Sequence, residues 1–226
     1  MKKTLLLATL LIACTTLRAQ GPGGNGGGPG GGSETTVNPD GAAYILSDGS
    51  TVTKTGESLS TSTSDYNVVQ VTNGTLTMTN CIITKSGNSN ATNGDYTSFY
   101  GINSAVYASG SNAVIKMTGG SVTTTSQGSN AIFATQGATI NVENVTIDNS
   151  NSVSRGLHAT YEGIINASNI NITTRSETSS TIATDRGGGT VTVTGGSATA
   201  KGNNSAVLYS TGTITANDLT GISEQG

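Results

Sequence analysis

The sequence has no tryptophan, one histidine, two cysteines, three prolines and only 10% charged residues in 226 positions. Each shortage excludes something. One histidine, with cysteines only at positions 14 and 81, cannot supply a His/Cys set at metal-ligand spacing, so no metal site and no cofactor is expected. The prolines end at Pro39, which leaves every later backbone N–H free to donate in a ladder. The formal charge is −3 with scattered lysines, which lacks the basic footprint that nucleic acid requires. The one apolar run, residues 5–13, is too short to span a bilayer. What is abundant is glycine, 32 residues, with long runs of Ser, Thr and Asn. That mixture suits short strands and tight turns rather than long helices.

The N-terminus, "MKKTLLLATLLIACTTLRAQ", places two lysines before an apolar core and reads as an export signal over residues 1–19. Two processing readings stand side by side. "LRAQ" offers cleavage after Ala19, although Leu17 is large for that site; "LIAC" resembles a bacterial lipobox and would place a lipid on Cys14. Loss of residues 1–19 leaves seven cationic side chains against thirteen carboxylates, a net charge of −6, and Cys81 as the only thiol. Residues 20–35 contain "GPGGNGGGPGGG", a flexible linker that should reach roughly 20 Å. It is no phosphate loop, since no strand precedes it and no lysine follows.

The rest repeats. Apolar leaders fall at Val106, Ile132, Leu157, Ile182 and Val207, at spacings of 26, 25, 25 and 25. A second apolar column holds Ile115, Ile140, Ile165, Val191 and Ile214, and a third holds Val122, Ile147, Ile172 and Ala198. Val69, Leu76 and Ile83 fit one earlier unit. Each unit thus carries three short alternating runs separated by Gly, Asn or Asp. One unit cannot bury its own apolar face, but units stacked at about 4.7–4.9 Å form one continuous core. The predicted fold is all-β: a right-handed parallel β-helix with three short strands per coil of about 25 residues and about six coils over residues 67–226. Asn80, Gly119, Asn144, Asn169, Gly195 and Asp218 recur between the second and third strands, where a sharp corner needs positive φ. Stacked asparagines there could also form an amide ladder. Residues 36–66 are expected to cap the N-terminal end, whereas the last coil, ending in "GISEQG", looks incomplete.

The coil length, with phrases such as "ATDRGGGTVTVTGG" and "SFYGINSAV", resembles the parallel β-helix repeats of bacterial surface proteins: the pectate-lyase-like fold in its adhesin-like and autotransporter-passenger-like forms. The resemblance covers residues 68–226. It implies architecture, and it implies that the enzymes of this fold would show clustered carboxylates. Here only Glu162 and Asp185, with Arg186 beside them, could make a catalytic pair, and Tyr161 could stack under the guanidinium; Asp148 and Asp218 lie apart. No catalytic residue is assigned.

For binding, the position after each leader reads Gln70, Tyr107, Phe133, His158, Ala183 and Leu208. If the leaders point inward, Tyr107, Phe133 and His158 form an outward ring column able to stack on a sugar chain. The competing reading is that the insertion "NSNATNGDYTSFYGIN", residues 88–103, folds over them. Together these features lead to an expectation of an exported scaffold at the cell surface or outside the cell, an outer-membrane lipoprotein if Cys14 is acylated. Its role would be adhesin-like, with a polysaccharide or cell-surface protein as partner and membrane contact only through the Cys14 lipid. The alternative is a polysaccharide lyase or hydrolase of the same fold, or an accessory carbohydrate-binding module.

Overall fold

The computed structural model describes residues 38–91 and 94–225; the expected signal segment, Cys14 and the glycine-rich linker lie outside the described residues. The chain forms an all-β parallel solenoid of about seven turns, with about 25 residues per turn. All the paired strands run parallel, and those inside the stack are hydrogen-bonded to their equivalents one turn before and one turn after. The first face is a sheet of seven strands: Gly41–Leu46, Tyr66–Val71, Val106–Ser109, Ile132–Thr135, Leu157–Thr160, Ile182–Asp185 and Leu208–Ser210. The second and third faces join because two turns carry continuous strands, Ile164–Thr174 and Thr190–Ala200, across the corner between them.

The three apolar columns meet as the alternation demands. Val69, Val106, Ile132, Leu157 and Ile182 pair in succession, as do Leu76 through Ile214 on the second face and Ile83 through Ala198 on the third. Nearly all are fully buried, and together they make one core along the stack. The corner residues are also as expected: Asn80, Gly119, Asn144, Asn169, Gly195 and Asp218 all have positive φ. The corner amide ladder is not what joins them. Backbone bonds do so, such as Asn80 N to Thr118 O and Asn144 N to Ser168 O, while the amide of Asn144 turns to Glu143.

Two register details differ from the sequence reading. Residues 41–61 form a full turn of three strands, so six turns follow a first one that the pattern had suggested was a cap. In that turn Lys54 occupies the inward column of Met78, its ammonium 4.3 Å from the Tyr44 ring centroid and 2.8 Å from Glu57. A cation in a lumen position is tolerable there because the ring and carboxylate compensate it. At the other end Ile182 pairs with Leu208 rather than Val207, so the loop before the last turn is one residue longer than the alignment assumed. The residue after the leader there is therefore Tyr209.

The corner between the third face and the next first strand is tied from inside. Lys85, Thr124, Asn149 and Thr174 stack in register and are buried. Each donates to carbonyls of the adjoining loop: Lys85 to Thr63, Ser86 and Gly87, Asn149 to Arg155 at 2.6 Å, Thr174 to Ser179 at 2.5 Å. Loop carbonyls that face the core thereby keep a donor. Burial lowers the Lys85 ammonium to about 8, with Asp65 pulling the other way. Among the described residues no helix is long and apolar enough to cross a membrane.

Candidate functional site

The first face carries the only described helix, Gly94–Tyr100, inside the predicted insertion. Polar contacts seat that segment. Asp65 accepts from Ser89 Oγ and from Asn90 N, Asn67 Nδ2 donates to Gly101 O and Ser104 O, and Asn130 Nδ2 donates to Ser98 O at 2.7 Å. Aromatic contacts then press it onto the strands: Tyr100 stacks on Tyr161 with ring centroids 6.2 Å apart, and the Arg186 guanidinium lies 4.7 Å from the Phe99 centroid.

The ring column exists in the predicted register but is not a surface. Tyr107 and Phe133 stack at 5.7 Å, and His158 meets Phe133 edge-on at 5.4 Å. Their exposures are 3%, 0% and 0%, so the expectation that these three rings bind a ligand is corrected. The insertion covers them, and Gly101 marks how closely. Its φ is +64°, and a Cβ there would lie 2.3 Å from a Phe133 ring carbon, so the backbone can sit on the ring only as glycine. His158 Nδ1 lies 3.3 Å from Asn130 Oδ1. Burial chiefly, and the nearby Arg155 charge, hold the imidazole well below its ordinary pKa, with Ser98 acting weakly the other way. It is a neutral packing residue at ordinary pH.

The two carboxylates of the candidate pair, Glu162 and Asp185, sit in different settings. Asp185 pairs in register with Thr160, two positions before Glu162. Asp185 is 9% exposed and accepts from the Arg186 N–H at 2.8 Å, whereas Glu162 is exposed on a positive-φ corner whose N–H donates to Gly188 O. Beside them, the Arg186 guanidinium lies over the Phe99 ring and Tyr161 stacks on Tyr100. Among the described residues no group of three His, Cys, Asp or Glu gathers as a metal site.

Two concavities stand out among the described residues. One, of about 420 Å³, opens where the insertion ends, lined by Phe99, Arg155, Ser180, Asp185, Asn204 and Tyr209 among others. The sequence reading missed it because its register put Leu208, not Tyr209, in the ring column, and because Phe99 and Arg155 come from separate loops. The other, of about 440 Å³, runs over the middle of the second face. There Lys116, Asn141, Asn166 and Thr192 stand in one register column, and Thr118, Glu143, Ser168 and Thr194 in the next. Asn166 Nδ2 donates to Asn141 Oδ1 at 3.0 Å, a single amide–amide bond between neighbouring turns on this face. Outside the groove both columns continue as Thr53 and Thr77, and as Thr55 and Thr79.

Comparison with known proteins finds no matching family model, no matching curated protein and no matching solved structure.

Proposed function

We propose that this chain is an exported, cell-surface β-solenoid with an adhesin-like role, and that it contacts a polysaccharide along its second face rather than cleaving it. The observation that carries this reading is the outward double column of hydroxyl, amide and charged side chains around the 440 Å³ groove. Donors and acceptors recur there at the strand spacing of about 4.7–4.9 Å, close to the length of one sugar unit, so a chain molecule could meet the same chemistry turn after turn. Many weak contacts along a rigid face add through effective concentration rather than through one deep site. The leader-like residues 1–19 and the resemblance to bacterial surface β-helices favour export, with Cys14 as the candidate anchor.

The test is native affinity electrophoresis of the protein through gels cast with single polysaccharides, beside a Lys116→Ala, Asn141→Ala, Asn166→Ala variant. Retardation by at least one polymer, reduced in the variant, is the expected result. Equal retardation of both proteins would remove the second face from the argument. A cleared zone would replace it with the polysaccharide-degrading alternative.

A further inference from the structure

The geometry points to a second, separate site: the pocket beside the insertion takes one pyranose ring, as a terminal or free sugar. The inference does not rest on the second-face reading, since the pocket belongs to the first face and its flanking loops. The register column that buries Tyr107, Phe133 and His158 under the insertion steps down to a methyl at Ala183 and returns to a ring at Tyr209. Phe99 of the insertion lines the same cavity as Asp185 and Tyr209 of the strands at that step. Tyr209 is 43% exposed, and the cavity measures about 420 Å³. That volume falls in the range of small-molecule sites, roughly 300–1,000 Å³.

The polar lining is not surface decoration. Arg155 is 5% exposed and held by a 2.8 Å bond from Nη1 to Thr178 O; Asp185 is 9% exposed and oriented by the Arg186 N–H. The Phe99 ring is itself fixed by the Arg186 guanidinium, 4.7 Å from its centroid. A ligand entering this pocket meets the rings of Phe99 and Tyr209, a planar cation in Arg155, a planar anion in Asp185 and Ser180. A pyranose matches that set. Its C–H face lies on the Tyr209 ring, while adjacent hydroxyls donate to the Asp185 carboxylate and accept from Arg155. A simple carboxylate ligand matches less well, because Asp185 would oppose it.

Saturation-transfer NMR on the full chain tests this, with methyl pyranosides of glucose, galactose, mannose and N-acetylglucosamine, and acetate as the anion control. Tyr209→Ala and Asp185→Asn are the variants; the first removes an exposed ring and the second keeps the acceptor oxygen for the Arg186 N–H. Transfer to at least one pyranoside is expected, with affinity falling about tenfold in each variant, the loss of one stacking or one charge-assisted contact. Repeating it on the Lys116→Ala, Asn141→Ala, Asn166→Ala protein should leave pyranoside binding intact. No transfer to any pyranoside, transfer unaffected by both variants, or acetate binding alone would each overturn the assignment. Failure here with polysaccharide retention intact would sink the pocket and leave the second face standing.

Discussion

The buried His158 makes stability depend on pH in a direction that can be worked out. The folded chain holds the imidazole well below 6.5, mainly because burial disfavours the charged ring and secondly because Arg155 repels it. The unfolded chain takes up a proton near the ordinary value. Between 6.5 and the depressed folded value, the unfolded state therefore binds more protons, and stability falls as pH falls. The limiting slope for one group is about 1.4 kcal/mol per pH unit, which integrates to about 1 kcal/mol between pH 6.5 and 5.5. His158 is the only histidine, the side-chain type whose ordinary pKa falls in that window. Urea unfolding of the wild type at about pH 7.5, 6.5 and 5.5 should show the midpoint dropping over the last step. A His158→Phe variant, which keeps a ring against Phe133 but cannot titrate, should lose that pH dependence. An imidazole NMR signal that titrates near 6.5 in the folded protein would refute the reasoning, as would an unchanged slope in the variant.

Gly101→Ala should cost about 2–4 kcal/mol, because it adds a Cβ against the Phe133 ring at a left-handed backbone position. Diethylpyrocarbonate labelling of His158 should then accelerate as the insertion lifts; unchanged labelling would show that the segment covers the rings by other means. Thr174→Val preserves shape but leaves the buried Ser179 carbonyl without its 2.5 Å donor, and the urea midpoint should fall by the equivalent of about 1–3 kcal/mol. Asp148→Asn breaks the bidentate Arg175 pair on the third face, with bonds of 2.8 and 2.6 Å. Both partners are solvent-exposed, so the loss should stay below about 1 kcal/mol and shrink in salt.

The stack was legible before any coordinates because almost every contact in a solenoid joins residues one turn apart. The pattern Val106, Ile132, Leu157, Ile182 is at once the sequence period and the strand pairing. Corners were legible for a local reason: Asn80, Asn144, Asn169 and Asp218 are residue types that tolerate the left-handed region in which they sit. The first turn was harder. Its columns read Tyr44, Val52 and Leu59, and Lys54 stands where the next turn has Met78, so the apolar period is blurred.

Which outward residues meet solvent was not in the period at all. Alternation assigns Phe133 and Asn141 alike to the outer side of the coil, yet one is fully buried and the other lines an open groove. The difference comes from residues 88–103, whose docking depends on Tyr161, Arg186 and Asn130, far along the chain. One extra residue before the last turn likewise put Tyr209 rather than Leu208 beside Ala183 and so completed the pocket. By itself, then, the sequence determined the coil, its columns and its corners, since these follow from short-range stereochemistry and a repeated burial pattern. Only the tertiary structure decided which face is covered and where a pocket opens, because both depend on one non-repeating segment finding its seat across several turns.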